Sequence, residues 1–403
     1  MPPRRRSSLA SALLLVACGA LLAAAPHPAH GAGTPDPGAL GPYAVGHELF
    51  TVADPTRQET RLGVTGPRQL VVDVWYPVDP PQSADAFAPY SFQVLGLGFV
   101  SQVAREGAPP IPNVARPLVV FSHGNGGIAV QSTNLCETLA SHGFVVAAPN
   151  HTGNTAGDAF FTRMDPFSVS AYNRPRDVSV VIDRMIARSR TRGDRLYRIV
   201  NPYQIGVTGH SFGGFTSLAV AGGYETFAPD PRVRAIMPIA PAADLLPDAQ
   251  LAAIRVPVMV LGGTLDTTTP LEPNSRLAFE LPSSRRVYRA DVIGADHSHF
   301  ASVCKLADVL FAYNAPVSFV RAVVPGYLET CGPGVLPIEV AERIQNLYAV
   351  SFFRRHLTQD TRYEVFLTEA WAQIMEPDVE FQRRSPSFPF SSLPASARLS
   401  AAR

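Results

Sequence analysis

Ser211 stands in the run Gly209-His210-Ser211-Phe212-Gly213-Gly214, directly after the apolar stretch 204–208. A serine with glycine two residues to either side reads as a nucleophile elbow, a tight strand-to-helix corner that exposes the hydroxyl. Side chains at 209 and 213 would run into the neighbouring strand and helix, which explains glycine at both. A helix beginning at Phe212 would aim its N-terminal amides and its dipole at Ser211, where negative charge develops in acyl transfer. A serine hydroxyl is a weak nucleophile at neutral pH. It needs a base in contact with it and a third group to orient that base.

Both partners can be found downstream. The apolar stretch 256–262 runs into Thr264-Leu265-Asp266-Thr267-Thr268-Thr269-Pro270, so Asp266 falls in a loop just beyond a strand. The competing reading of Asp266 is an Asx-turn or helix cap before Pro270, with Asp244 and Asp248 as spare acids. The next strand ends in Gly294-Ala295-Asp296-His297-Ser298-His299-Phe300, where two histidines compete for the role of base. His297 comes first after the small residues and is the favoured base, with His299 as the alternative. A histidine pair beside an aspartate could also suggest zinc, but no third ligand stands at an informative spacing, so no metal and no cofactor are expected. Two backbone N–H groups should meet the oxyanion. One belongs to Phe212, the other to Asn125 in the glycine-rich loop Phe121-Ser122-His123-Gly124-Asn125-Gly126-Gly127. His123 reads as a support for that loop and His210 as a packing residue.

These residues need a scaffold. Strands are expected at 70–78, 117–122, 144–149, 204–208, 235–239, 256–262 and 286–293. Several are continuously apolar, as strands covered on both faces are. Between them, Val178, Val181, Ile182, Met185 and Ile186 form a helical stripe, and a helix over about 338–357 would close the domain. The alternation implies an α/β fold, a mostly parallel sheet with helices on both faces. Three stretches interrupt it: a proline-rich excursion at 79–115, an insertion at 152–173 and another at 304–335. The second carries Phe160, Phe161, Phe167 and Tyr172 above a strand end, where such sheets build binding sites. It reads equally as a pocket wall or as a loop pinned by aromatics.

The chain has 403 residues, 46% of them hydrophobic, and a formal net charge of +1 without charged blocks. That balance suggests neither nucleic acid nor an acidic polymer as a partner. Arg4-Arg5-Arg6 and the apolar run that follows, with small residues near Ala29, read as a secretion signal over residues 1–31. Leu15-Val16-Ala17-Cys18 also resembles a lipoprotein box, but the apolar run continues past Cys18, which favours ordinary export. No later segment is long and apolar enough to span a bilayer. In an oxidising compartment Cys304 and Cys331 are expected to pair, with Cys136 a buried thiol on a helix face. Residues 32–375 would form one catalytic domain, and the Ser/Pro/Arg-rich tail 376–403 is expected to be poorly ordered.

The loop Phe121-Ser-His-Gly-Asn-Gly-Gly, the segment Leu139-Ala-Ser-His-Gly-Phe-Val-Val-Ala-Ala-Pro-Asn-His-Thr-Gly-Asn and the elbow together resemble a bacterial group of α/β-hydrolases. That group is related to dienelactone hydrolase and to the secreted platelet-activating-factor acetylhydrolases, and the resemblance covers about residues 45–357. It implies the α/β-hydrolase fold, with nucleophile, acid and base in that chain order: Ser211, Asp266, His297. It also implies Phe212 and Asn125 as oxyanion donors. The acid departs from the animal acetylhydrolases. The strand at 235–239 runs into Ala240-Pro241-Ala242-Ala243, and the position of Asp266 looks instead like that of cutinase-like polyester hydrolases. Dienelactone hydrolases use a cysteine nucleophile, so that activity is not expected.

The expected function is therefore a secreted serine esterase acting on short or medium acyl esters, lipids or polyesters through an acyl-enzyme. A platelet-activating-factor acetylhydrolase-like phospholipase and a peptidase or acyltransferase on the same fold are alternatives. A catalytically silent binding protein is the reading from another class, and the intact serine, acid and histidine order argues against it.

Overall fold

The structure, a computed structural model, describes residues 34–79, 86–94, 96–324 and 326–384. Residues 1–31, where a secretion signal is expected, and Cys18 with them, lie outside that set. Eleven strands are described: β1 (Ala44–Arg61), β2 (Val64–Val78), β3 (Phe87–Ser91), β4 (Gly98–Glu106), β5 (Arg116–Ser122) and β6 (Val145–Asn150), then β7 (Val200–His210), β8 (Val233–Ile239), β9 (Val258–Gly263), β10 (Val287–Val292) and β11 (Val379–Arg384). They form one sheet in the order β11-β10-β9-β8-β7-β5-β6-β2-β1-β4-β3. The run from β6 through β5, β7, β8 and β9 to β10 is parallel. Antiparallel β2 and β11 flank it.

The parallel strands read as apolar runs because both faces are covered; every residue of β5, β6, β9 and β10 is buried. On one face lie α1 (Thr133–Ser141) and, later in the chain, the helix Ile338–Leu357, packed on Val119, Phe121 and Val146. On the other face, α2 (Ala156–Phe160) leads into α3 (Phe167–Arg190), and α4 (Phe212–Gly222) follows the elbow. The stripe Val178, Val181, Ile182 and Met185 of α3 meets Phe215 and Leu218 of α4 in the second core. The remaining helices are α5 (Asp248–Ala253), α6 (Asn274–Glu280), α7 (Val303–Ala312), α8 (Val317–Val323), α9 (Tyr327–Cys331), α10 (Ile338–Leu357) and α11 (Glu369–Met375).

Four strands escaped the sequence reading. β1 pairs with β2 through a two-residue turn at Leu62-Gly63, both with positive φ (51° and 79°), the backbone of a type I′ hairpin. Leu62 is a poor sequence signal for such a turn. The excursion 79–115 contributes β3 and β4 to the sheet edge, where short strands tolerate proline such as Pro89. The tail begins with order rather than irregularity: Val379-Glu-Phe-Gln-Arg-Arg pairs antiparallel with β10, and residues from 385 lie outside the described set. Its alternating Val379 and Phe381 are masked by the Ser/Pro/Arg composition that follows. In the insertion 304–335, α7, α8 and α9 replace the expected loop. They enclose a small core of Ala307, Leu310, Val320 and Val324, and a disulfide joins Cys304 to Cys331. Cys136 is free and buried. Among the described residues no helix is long and apolar enough to cross a membrane.

Candidate active site

β7 ends at His210 and α4 begins at Phe212, leaving Ser211 alone at the corner with φ 60° and ψ −117°. That backbone lies outside the regions L-residues prefer, and it projects the serine from the carboxyl edge of the sheet. The glycines are sterically required. A Cβ at Gly213 would lie 1.8 Å from the Ser122 carbonyl oxygen, and one at Gly209 would lie 2.5 Å from the same atom. The Ser211 N–H donates to the Ile239 carbonyl at the tip of β8 (2.9 Å), which ties the corner to the next strand.

Asp266 lies beyond β9 and His297 beyond β10. The His297 Nδ1–H donates to Asp266 Oδ2 at 2.8 Å. The other carboxylate oxygen accepts the Thr268 and Thr269 amides at 2.9 and 2.8 Å. Thr269 Oγ1 stands 2.9 Å from Asp266 Oδ2 and 3.1 Å from His297 Nδ1. Burial would push the Asp266 carboxyl up, but its bonds to His297 and Thr269 outweigh burial and hold it below the usual carboxylate range. The Asx-turn reading is thus also fulfilled, by the same side chain. His297 pairs with Asp266 rather than with Asp244 or Asp248.

His299 is engaged elsewhere. It is fully buried, its Nε2–H donates to the Leu336 carbonyl (3.0 Å), and its Nδ1 lies 2.7 Å from Asp296 Oδ1. Asp296 caps the turn that carries both histidines and also accepts from Thr330 Oγ1 (3.0 Å), in the helix that holds Cys331. His299 therefore anchors the loop while His297 remains partly exposed. His210, expected only to pack, is a bridge. Its Nε2–H donates to the His297 carbonyl (2.8 Å) and its Nδ1 accepts from Gln131 Nε2 (2.8 Å). Burial and the neighbouring His297 push its pKa down to about 3, so it stays neutral.

The glycine-rich loop stands beside the elbow: a Cβ at Gly124 would be 3.6 Å from the Ser211 Cβ. The Gly124 N–H is taken by Gln131 Oε1 at 2.9 Å. The next amide, that of Asn125, is the loop's candidate donor. Phe212 opens α4, so its N–H has no acceptor within the helix. His123 supports the loop as expected, its Nε2 accepting the His151 N–H (3.1 Å) and its Nδ1–H donating to the Gly124 carbonyl (2.7 Å).

Behind this loop is a charged network that the sequence reading missed. Arg174 and Asp177 of α3, with Arg68 and His151, are buried almost completely. Asp177 accepts bidentately from Arg68 (2.8 and 2.7 Å) and from His151 Nδ1–H (2.9 Å). Burial and the Arg174 charge push His151 down to about 4, and it stays neutral, accepting the Ser122 hydroxyl on Nε2. A signal existed: Arg174 and Asp177 stand four and one residues before Val178, on the face that the apolar stripe buries. Gln131 carried no sequence signal.

Of the expected pocket aromatics, Phe167 adjoins the elbow through Phe212. Phe167 is 46% exposed and its ring stacks on Phe212 at 4.4 Å. Phe160 and Phe161, 43% and 47% exposed, pack edge-to-face on one another. The segment bearing Phe160 and Phe161 is fastened to the glycine-rich loop, since the Ala156 N–H donates to the Gly127 carbonyl at 2.9 Å. Among the described residues no cluster of three or more His, Cys, Asp or Glu is arranged to hold a metal ion.

Residues 90–176 match the family model described as platelet-activating factor acetylhydrolase, isoform II. Cutinase 2 of Thermobifida cellulosilytica is 26% identical over 282 residues, which cover 69% of this chain and 83% of the cutinase. Cutinase cut1 of Thermobifida fusca is likewise 26% identical, with 69% and 68% covered. The platelet-activating factor acetylhydrolase of Gallus gallus is 36% identical over 67 residues, 17% of this chain and 16% of that one. Among solved structures, a ferulic acid esterase from Streptomyces cinnamoneus superposes with a TM-score of 0.63 at 27% identity, covering 84% of this chain and 96% of the esterase. Family match, relatives and fold agree: the chain is an α/β-hydrolase and a carboxylic ester hydrolase, similar to the platelet-activating-factor acetylhydrolases and the cutinases.

Proposed function

We propose that the chain is an exported serine esterase in which Ser211, His297 and Asp266 act as nucleophile, base and orienting acid. The observation that carries this reading is the 2.8 Å bond from His297 Nδ1–H to a carboxylate that is itself held by two backbone amides. That bond leaves Nε2 of His297 as the basic nitrogen. It takes the Ser211 proton as Oγ attacks the ester carbonyl, and Asp266 stabilises the imidazolium that results. The N–H groups of Asn125 and Phe212 receive the oxyanion. His297 then returns the proton to the departing alkoxide, and water, activated by the same nitrogen, hydrolyses the acyl-enzyme.

The cutinase and ferulic acid esterase likenesses favour an acid part that is aliphatic or aromatic, and the exposed faces of Phe160, Phe161 and Phe167 offer it an apolar wall. A phospholipid acetyl ester is the second reading. It is favoured by the acetylhydrolase family match over 90–176, but that segment ends before the elbow, the acid and the base. The sequence of residues 1–31 and the disulfide are consistent with export. A panel of p-nitrophenyl esters of increasing acyl length, a feruloyl ester, a polyester film and an acetylated ether phospholipid tests the assignment. Ester turnover by the wild type, lost by roughly 10⁴-fold or more in Ser211→Ala, is expected. Undiminished turnover by that variant would refute it.

A further inference from the structure

Arg174 is 0% exposed and sits in the second turn of α3, yet among the described residues no carboxylate hydrogen-bonds to it. Burying a guanidinium is costly unless every N–H finds an acceptor. Here all five do. Nε and Nη2 donate to Asn154 Oδ1 (3.1 and 2.6 Å), Nη2 also to the Gly124 carbonyl (2.8 Å), and Nη1 to the His123 carbonyl (2.5 Å) and Ser122 Oγ (3.3 Å). Two of these acceptors are consecutive carbonyls of the glycine-rich loop.

In a trans peptide the C=O and the following N–H point in opposite directions. Drawing the Gly124 carbonyl toward Arg174 therefore turns the Asn125 N–H away from it, in a loop whose Gly124 lies beside the Ser211 Cβ. The Gly124 carbonyl is further held by the Gly127 N–H (3.1 Å). Asn154 extends the brace, since its Nδ2 donates to Asn125 Oδ1 (2.9 Å). The same guanidinium lies 4.5 Å from the centre of the Phe212 ring, beneath the residue that would supply the second amide.

We propose that Arg174 is the positioning residue of the oxyanion hole: by holding the His123 and Gly124 carbonyls and the face of Phe212, it fixes both amides before substrate arrives. The proposal rests on the serine-esterase reading. It explains why a cation is kept in a dry position where Asp177, three residues on, is already occupied by Arg68 and His151. A lysine there retains the charge but cannot reach both carbonyls and Asn154 together, because its donors radiate from one atom.

The test compares wild type, Arg174→Lys and Asn154→Ala. It reads kcat per fluorophosphonate-titrated site, KM on one p-nitrophenyl ester, and Ki for a trifluoromethyl ketone whose hemiketal with Ser211 carries the oxyanion. In Arg174→Lys, kcat should fall roughly 10- to 100-fold, somewhat less than for loss of a whole donor, with KM within about twofold. Ki should rise by the factor by which kcat/KM falls. Asn154→Ala should show the same pattern at about 3- to 10-fold, which keeps the test open if the lysine variant does not fold. Unchanged kcat per titrated site in a folded variant, or a fall in kcat with Ki unmoved, would overturn the positioning role. A wild type that the fluorophosphonate does not label would remove the esterase reading and this inference with it; a labelled wild type with an indifferent Arg174→Lys would remove this inference alone.

Discussion

The two halves of the proposed site are held in different ways. On the side of the proposed oxyanion hole, β5, the elbow and α3 enclose a dry network in which Arg174, Asp177, Arg68 and His151 satisfy one another and the loop backbone. On the acid–base side, His297 is partly open to solvent and is positioned by one carboxylate, one threonine and a capped turn anchored by His299 and Thr330. The contrast follows from what each half must do. Amide dipoles that meet a developing charge act best when they cannot reorient, and burial in low dielectric strengthens them. A base that takes and returns a proton needs one free nitrogen and room for the leaving alcohol.

The sharpest break of this contrast separates the two neighbouring histidines. His297→Ala should lower kcat by about 10⁴-fold or more at little cost in stability, because it removes the proton carrier from a half-open position. His299→Ala should retain kcat within about tenfold while lowering the thermal midpoint, since it removes the anchor of the turn. Ester kinetics and thermal melts on both variants would expose a reversal of the two effects, which would exchange their roles.

The buried ion pairs behind the glycine-rich loop should respond chiefly in stability. Asp177→Asn leaves Arg68 buried without its bidentate partner, and loss of one member of a buried ion pair costs about 3–5 kcal/mol. Urea unfolding would measure it, and a cost below about 1 kcal/mol would mean that the network is not what holds this half together.

Which parts were readable beforehand follows the same division. Ser211, Asp266 and His297 stand in short loops after strands, where function dictates residue type locally. The flanking glycines are visible because a Cβ there would strike Ser122. The brace behind the loop depends on residues 68, 151, 174 and 177, which meet only when β2, β6 and α3 pack together. Arg174 and Asp177 could have been caught as charges on an apolar helical face; their partners on β2 and after β6 could not. The edge strands escaped for a different reason. β3 and β11 are short, and for these two and β4 the pairing partners rather than their own composition make them strands.

The smallest expected effect concerns pH. His151 is pushed down to about 4 from an ordinary 6.5. Between those values the unfolded chain binds a proton that the folded chain refuses, so stability rises with pH through this window and is lost as pH falls through it. His151→Asn should flatten the slope of unfolding free energy against pH by up to one proton, about 1.4 kcal/mol per pH unit. Urea titrations at pH 4.5, 5.5 and 6.5 would detect it, and an unchanged slope would show that His151 titrates normally.

Fluorophosphonate labelling of the intact chain, located by peptide mass, goes straight to the nucleophile. The structure's reading requires one adduct per chain, on Ser211, absent in Ser211→Ala and formed far more slowly in His297→Ala. An adduct on another serine, or equal labelling rates in wild type and His297→Ala, would contradict it.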